Sequence, residues 1–248
     1  MNLLEWKTIL INWASGDIGL QTAVDCYKAG ANLILCWYKN KEKMRSAFPH
    51  SGKVKMFFFD GKDEEKVLDM YRELTEDGTH LDGIFANAWD LINRSPVQSS
   101  APDLYQEVFD ANFRTTYLLV KHWINLLNEK GSIVLMSSMS ARWWKWDRSA
   151  HYAMAKSAII GWWKSLANEL ALKKQQLRVN MVAPWYIAWA FHDRYTLKKV
   201  EIEHAENNPM NRVGNPKDVS WVVLFLLSEL SSYVNWTTID INWGSYIN

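Results

Sequence analysis

The chain has 248 residues, with 28 lysines and arginines against 27 aspartates and glutamates, which gives a formal net charge of +1. This length suits one domain of upper-middle size, and a balanced charge without a basic tract argues against nucleic acid or an anionic membrane as a partner. Residues 1–5 lack the features of a secretory signal, and no run of about 18 apolar residues follows. We therefore expect a cytoplasmic protein.

Apolar runs rich in β-branched residues alternate with helix-like patterns along the whole chain. Helical periodicity marks the segments 18–29, 63–76, 102–128, 150–174 and 216–230. The apolar runs are typical of strands buried on both faces, and they predict seven strands: Thr8–Ile11, Asn32–Cys36, Val54–Phe59, Leu81–Ala86, Ser132–Met136, Leu177–Val182 and Thr237–Ile241. Such alternation predicts a single α/β domain over residues 1–248, a Rossmann-type doubly wound parallel sheet of about seven strands with helices on both faces.

The two cysteines both fall on predicted core elements. Cys26 lies on the first helix and Cys36 on the second strand. We interpret them as small buried hydrophobic residues rather than as a redox or metal-binding pair. No cluster of cysteine and histidine indicates a metal site.

Residues 186–215 form the longest interruption of the alternation and are rich in His, Tyr, Lys and Glu. Ligands of open α/β sheets bind beyond the carboxyl ends of the strands, so an insertion after the sixth strand is a candidate substrate cover. A solvated surface excursion is the alternative.

A turn from Asn12 to Gly19 connects the first strand to the first helix. A dinucleotide-binding fold places its phosphate turn here, because the free N–H groups at a helix N-terminus attract the pyrophosphate. The stretch contains Gly16 and Gly19 but lacks the full glycine pattern. A tight turn with Asp17 as the helix N-cap explains it equally well.

A second group of residues carries acid–base chemistry. Ser137 and Ser138 follow the fifth strand, and Tyr152 and Lys156 open the next helix, four residues apart. That spacing puts the phenol and the ammonium on one helical face, where the ammonium can lower the phenol pKa from its ordinary value near 10. The same spacing also arises by chance on solvated helix faces.

The order of these features resembles the short-chain dehydrogenase/reductase family over essentially the whole chain. The matching residues are the glycine turn after the first strand, Asp60 closing the third, Asn87-Ala88 closing the fourth, Asn112 in the central helix, then Ser138, Tyr152-x-x-x-Lys156 and Pro184. The 3-oxoacyl-(acyl-carrier-protein) reductase-like branch looks most similar. The resemblance implies an NAD(P)-dependent oxidoreductase, a homotetramer or dimer, acting on a small carbonyl or acyl-thioester substrate.

The resemblance also implies a role for each matched residue. Tyr152 would be the general acid/base and Lys156 would lower its pKa and hold the nicotinamide ribose. Ser138 would orient the substrate carbonyl, and Asn112 would hold a water in the proton relay. The cofactor would be bordered by Trp13, Ser15, Gly16, Asp17, Ile18 and Gly19 at the pyrophosphate, by Asp60, Asn87, Ala88 and Trp89 on the adenosine side, and by Pro184, Trp185 and Ile187 at the nicotinamide.

The end of the second strand sets cofactor choice in this fold. An acidic residue there binds the ribose 2′-hydroxyl, whereas a basic one suits a 2′-phosphate. The stretch Trp37-Tyr38-Lys39-Asn40 contains no carboxylate. Lys39 therefore predicts NADP as the cofactor, with NAD as the alternative.

Tryptophan stands where the family pattern has glycine. The positions are Trp13, Trp89, Trp185 and Trp243, with Trp6, Trp144 and Trp236 as further cases. The chain has 15 tryptophans and only 11 glycines, about 4.4% against a usual share of about 7%. Returning these seven positions to glycine would give 18 glycines, about 7.3%.

Two explanations of the tryptophans compete. In the first, the indoles obstruct the cofactor groove and the protein is a catalytically silent member that kept the fold, because only glycine gives positive φ and close backbone approach at such turns. In the second, UGA codons that mean glycine in the source were translated as tryptophan. In either case we expect the chain as written to bind dinucleotide weakly or not at all.

Overall fold

Seven parallel strands form one central sheet in the computed structural model, which describes residues 2–49, 51–143, 148–172, 176–188 and 198–246. In chain order they are β1 (Thr8–Ile11), β2 (Asn32–Trp37), β3 (Val54–Phe58), β4 (Leu81–Ala86), β5 (Leu127–Met136), β6 (Arg178–Pro184) and β7 (Thr238–Ile241). The order across the sheet is β3-β2-β1-β4-β5-β6-β7. The strand order therefore reverses direction between β1 and β4, and a crevice forms there beyond the carboxyl ends.

Helices cover both faces of this sheet. Within the described ranges they are α1 (Asp17–Lys28), α2 (Lys41–Ala47), α3 (Glu64–Glu76), α4 (Leu104–Phe109), α5 (Thr115–Trp123), α6 (Ala150–Leu172), α7 (Lys198–Glu206) and α8 (Pro216–Leu227). The apolar residues of α1 and α8 pack on one face, and those of α3, α5 and α6 pack on the other. The predicted doubly wound fold is confirmed. In the part of the chain described, no helix combines the length and apolarity needed to cross a bilayer.

Side-chain caps fix where two of these helices begin. Asp63 accepts hydrogen bonds from the backbone N–H groups of Glu65 and Lys66 at 3.1 and 3.4 Å, and α3 starts after it. Asn215 accepts from Lys217 N at 2.9 Å while Asp218 accepts from Asn215 N at 2.9 Å, a reciprocal cap before α8. These local bonds explain why the starts of both helices agree with the sequence pattern within one residue.

The predicted helix over 102–128 is wrong in its continuity and its end. The structure breaks it into α4, a π-helical segment (Asp110–Arg114), α5 and a short 3-10 turn, and β5 begins already at Leu127. The hydroxyls of Thr115 and Thr116 donate to the carbonyls of Asp110 and Asn112 at 2.9 and 2.7 Å. These side-chain bonds supply donors for carbonyls at the irregular segment, which periodicity does not reveal.

Other boundaries also differ from the sequence pattern. Helices α2 and α7 were not predicted, because both are short and polar. The sixth strand extends to Pro184 rather than ending at Val182. Gly16, not Asp17, is the N-cap of α1, and it has an extended backbone.

The two cysteines are free and buried, as the sequence predicts. Sγ of Cys36 lies 3.5 Å from Sδ of Met70. Burial raises the pKa of both thiols. They therefore act as apolar core residues at neutral pH.

Arg178 ties the end of α8 to the edge of the sheet. Its buried guanidinium donates to Ser231 Oγ and to the carbonyl of Leu226 at 2.9 Å each, and to the carbonyls of Ser228 and Val234 at 3.3 Å each. Arg178 also begins β6, which lies between β5 and β7. One side chain thus satisfies the carbonyls of the chain segment that leads into β7.

We expect Arg178→Met to lower the free energy of unfolding by about 3 kcal/mol, because the change keeps apolar volume but leaves buried carbonyls without a charged donor. Urea unfolding followed by circular dichroism measures the change. Arg72→Met is the control: Arg72 is exposed on α3, and its ion pair with Asp69 is exposed too, so the expected change is within about 0.5 kcal/mol. Equal effects of the two substitutions would contradict the role assigned to Arg178.

Candidate active site

Polar side chains meet at the carboxyl ends of β4 and β5. Ser138 follows β5 by two residues, and Tyr152 and Lys156 lie in the first two turns of α6. All three side chains are buried. The structure therefore brings together the three residues that sequence spacing selected.

A hydrogen bond joins the hydroxyls of Tyr152 and Ser138. Burial raises the pKa of Tyr152 above its ordinary range, and this effect exceeds the lowering by the Ser138 bond; the nearby carboxylate of Asp90 raises the pKa further. The phenol is therefore a protonated donor at neutral pH. This differs from the expectation that Lys156 lowers the pKa of Tyr152.

The orientation of Lys156 explains that difference. Its Nζ donates to the carbonyl oxygens of Ala88 at 2.9 Å and Met136 at 3.1 Å, and it lies 5.7 Å from the centre of the Tyr152 ring. The amine thus faces the ends of β4 and β5 rather than the phenol oxygen. Burial lowers the pKa of Lys156 to about 7, so much of its charge is absent above neutral pH.

Asn112 holds the segment that follows β4. Its Nδ2 donates to the carbonyls of Asp90 and Val108 at 2.6 and 2.7 Å, and its Oδ1 accepts from the N–H of Asp90 at 3.2 Å. The Asn112 carbonyl accepts from the Thr116 hydroxyl at 2.7 Å. The Asn112 side chain therefore fixes the path of the chain after β4.

Two residues near this centre were missed by sequence reasoning. The backbone N–H and the hydroxyl of Ser140 donate to Ser138 Oγ at 3.2 and 3.0 Å, which orients that hydroxyl. Asp90 lies close enough to act on the pKa of Tyr152 and accepts from Ile92 N at 3.0 Å. The serine at position 140, two residues after Ser138, was a usable signal, whereas the approach of Asp90 depends on the bend held by Asn112.

The groove between β1 and β4 contains polar atoms that fit a dinucleotide. Asn12 Oδ1 accepts from Asn87 N at 2.5 Å, and Asn87 Nδ2 donates to the Trp13 carbonyl at 3.3 Å. The remaining amide atoms, Asn12 Nδ2 and Asn87 Oδ1, are buried without a hydrogen-bond partner. A Cβ on Gly19 would lie 2.4 Å from the Trp13 carbonyl oxygen, so only glycine fits beside these amides.

The indole of Trp13 does not fit the same groove. A Cβ on Gly16 would lie 3.2 Å from Cδ1 of Trp13, so the ring covers the start of α1. Trp13 also lines a narrow cavity beside Asn12, Trp37 and Gly61. A pyrophosphate needs close approach to the backbone at this turn, and the indole occupies that approach.

The remaining residues predicted at the phosphate turn and the adenosine side have differing surroundings. Ser15 is buried, and Ile18 points into the core, so Ile18 offers only backbone to a ligand. Asp17 pairs with Lys43 at 2.7 Å. Asp60 accepts from Lys62 N at 3.0 Å.

Lys39 follows β2, and Trp89 follows β4. Lys39 is exposed after β2, with Nζ 5.9 Å from the centre of the Tyr38 ring. Trp89 packs with the apolar cluster that includes Tyr152. Trp89 therefore touches the candidate active site through packing rather than through an open turn.

Aromatic rings line the segment after β6, where Pro184 ends the strand. The ring centres of Trp185 and Trp143 are 4.7 Å apart. Ile187 is fully buried and forms an isolated parallel β-bridge with Gly214. Trp144 and residues 189–197, which include His192, lie outside the described residues. In the described ranges, no group of three or more His, Cys, Asp and Glu side chains could hold a metal ion.

A family model described as enoyl-(acyl carrier protein) reductase matches residues 14–245. The solved structure of a short-chain dehydrogenase/reductase of the glucose/ribitol dehydrogenase type from Brucella melitensis superposes with a TM-score of 0.90 at 24% identity, over 100% of both chains. The chain belongs to the short-chain dehydrogenase/reductase family. It is therefore an oxidoreductase of a family whose members use nicotinamide cofactors.

Curated relatives of this short-chain dehydrogenase/reductase agree with that assignment. An uncharacterized oxidoreductase, YxbG of Bacillus subtilis, is 32% identical over 98% of this chain and 92% of its own length. The 3-oxoacyl-[acyl-carrier-protein] reductase FabG of Thermotoga maritima is 29% identical over 98% of this chain and 99% of its own length. The alternative of a catalytically silent member finds no support in these relatives.

The lowered pKa of Lys156 predicts a pH dependence of stability. The folded pKa is about 7, whereas an unfolded lysine titrates near 10.4, so between these values the unfolded chain binds the extra proton. Stability should therefore rise with pH above about 7, by up to about 1.4 kcal/mol per pH unit, and this term should be flat at lower pH. Urea unfolding between about pH 6 and pH 9 measures it.

Two variants test the source of that rise. Lys156→Met should remove it, while Lys164→Met, which changes an exposed lysine of the same helix, should keep it. An unchanged pH dependence in Lys156→Met would show that another group titrates.

Proposed function

We propose that this short-chain dehydrogenase/reductase is an NADPH-dependent reductase of carbonyl compounds. The observation that carries the proposal is the buried group formed by Ser138, Tyr152 and Lys156 at the end of β5. A phenol that stays protonated at neutral pH is a suitable proton donor to a substrate oxygen. Because the Ser138 hydroxyl is hydrogen-bonded to Tyr152, it would lie close enough to donate a second hydrogen bond to the same substrate oxygen.

The chain's own residues would move one proton. A reduced nicotinamide held beside Lys156, Pro184 and Ile187 would supply the hydride that reduces the carbonyl carbon. Tyr152 would donate its phenolic proton to the carbonyl oxygen, so that the product is an alcohol, and would regain a proton from solvent. Lys156 in its protonated form would favour the transient phenolate, and Asn112 would hold a water in the return path.

Groove residues at several positions would hold the cofactor. Asn87 and Ala88 would border the adenosine, and Ser15, Gly16 and Gly19 the pyrophosphate, with Asp60 beside the adenine. Lys156 would also hold the nicotinamide ribose, next to Pro184 and Ile187. The partnerless amide atoms of Asn12 and Asn87 support a polar ligand here.

We also propose a 3-oxoacyl thioester as the substrate. Reductases of that name from Thermotoga maritima and Rickettsia conorii are 29% and 30% identical to this chain over 98% and 97% of it. Residues 186–215 would cover the substrate. In support, the ring centre of His204 in α7 lies 4.4 Å from that of Tyr186 and 5.7 Å from that of Trp185, so α7 packs on the segment that follows β6. A homo-oligomer, a dimer or tetramer, is part of the same proposal and rests on the family resemblance alone.

Tyr152→Phe should lower kcat with NADPH and an acetoacetyl thioester by about a thousandfold, because the proton donor is lost while the ring stays. Fluorescence titration should give an unchanged NADPH Kd. Both assays are run on a chain with glycine at positions 13, 89 and 185, because the indole of Trp13 covers the start of α1 in the chain as written.

Tyr233→Phe is the matched control, because its phenol is fully exposed, and we expect full activity. A Tyr152→Phe enzyme that keeps most of its kcat would remove Tyr152 from the mechanism.

Lys39→Glu should reverse the cofactor preference, because a carboxylate repels a 2′-phosphate and accepts from a 2′-hydroxyl. The ratio of kcat/KM for NADPH to that for NADH is the measurement, with an expected fall of at least about a hundredfold. Lys53→Glu is the control, since Lys53 is exposed at the opposite, amino end of β3. A ratio that stays constant in Lys39→Glu, or a preference for NADH in the parent, would refute the assignment.

A further inference from the structure

Among the residues that the structure describes, four tryptophans adopt a backbone conformation that L side chains rarely take. The φ angles are 66° at Trp6, 53° at Trp13, 59° at Trp236 and 51° at Trp243. The left-handed region brings Cβ close to the following carbonyl oxygen, so a bulky residue there is an outlier, whereas glycine enters it freely. The feature requires an explanation at each of the four positions.

The turns around two of them have the geometry that glycine serves. Ser245 N donates to the Asn242 carbonyl at 3.0 Å, and both central residues, Trp243 and Gly244, have positive φ, at 51° and 78°. This is the pattern of a type I′ turn, in which glycine, asparagine and aspartate dominate and a tryptophan is out of place. In a second turn, Lys7 N donates to the Leu4 carbonyl at 3.0 Å. Trp6 is the third of the four residues of that turn.

The indoles gain little in exchange for this backbone. Trp6 is 80% exposed and Trp236 is 50% exposed. Trp13 crowds the start of α1, as described above, and a Cβ on Gly214 would meet the Trp243 ring at 2.4 Å. Trp243 stacks beneath the Arg212 guanidinium, 4.3 Å from the ring centre.

Trp163 shows what a tryptophan suited to its position looks like. It lies in the middle of α6, is buried, and its indole N–H donates to the Val179 carbonyl at 3.1 Å. At this position the backbone conformation, the burial of the ring and the hydrogen bond of the indole all suit a tryptophan. None of the four left-handed tryptophans combines all three.

The same four positions are among the seven that the motif comparison marks as glycine positions. A backbone angle and a sequence motif are different observations, and they coincide. We propose that the native polypeptide carries glycine at positions 6, 13, 236 and 243, and that the codons translated here as tryptophan are UGA codons read as glycine in the source. The inference concerns residue identity and does not rest on the proposed reductase activity.

Trp89 and Trp185 stand differently, because neither has a positive φ. The backbone observation therefore does not extend to them.

Glycine at position 13 would have a functional consequence. Without the indole, the start of α1 is open beside Gly16. The conflict between Trp13 and the dinucleotide groove then disappears.

Peptide mass mapping of the protein purified from its native source tests the proposal directly. We expect glycine at positions 6, 13, 236 and 243 and tryptophan at position 163. The gene should have UGA at the four positions and UGG at 163. Tryptophan in the native peptides at these positions would overturn the proposal, whatever the enzyme's activity.

A matched pair of substitutions tests the backbone argument separately. Trp236 and Trp221 are 50% and 57% exposed, but Trp221 lies inside α8 and Trp236 has positive φ. Trp236→Gly should lower the unfolding equilibrium constant about fivefold, whereas Trp221→Gly should raise it at least about twofold, since glycine weakens a helix interior. Urea unfolding measures both. A destabilising effect of Trp236→Gly equal to that of Trp221→Gly would show that position 236 does not favour glycine.

Discussion

The buried amine of Lys156 is the contact on which the candidate active site depends. It joins α6 to the carbonyls of Ala88 and Met136, just beyond β4 and at the end of β5. A helix placed by this contact holds Tyr152 one turn earlier, next to Ser138. The cost of burying an amine explains why its pKa falls to about 7.

Amide side chains extend this arrangement to the neighbouring strand ends. Asn12 bonds the backbone of Asn87 and so connects β1 to the end of β4. Asn112 bonds the backbone of Asp90 in both directions and holds the next part of the same segment. These bonds satisfy backbone groups that no strand partner reaches. Because they leave two amide atoms of Asn12 and Asn87 buried without partners, the same network is prepared for a polar ligand.

Turns at the ends of elements place a second constraint on the fold, and the tryptophans conflict with it. The chain has a left-handed residue at position 13, two residues after β1, and again at 236 and 243 on either side of β7. The tertiary fold keeps these angles because the elements next to each turn fix the path of the chain. The side chains must then be accommodated on the surface or inside the groove, and at position 13 the groove is the proposed place of cofactor approach.

The sequence alone determined the fold class, the seven strands and the selection of Ser138, Tyr152 and Lys156. Apolar runs and four-residue spacing are local patterns, and parallel strands bring their carboxyl ends to one edge regardless of detail. The break of the central helix at Asp110–Arg114 is accompanied by hydrogen bonds from threonine hydroxyls to the carbonyls of Asp110 and Asn112, which periodicity does not encode. The direction of the Tyr152 pKa shift was likewise decided by tertiary structure, because desolvation depends on packing around the phenol and on where the Lys156 amine points.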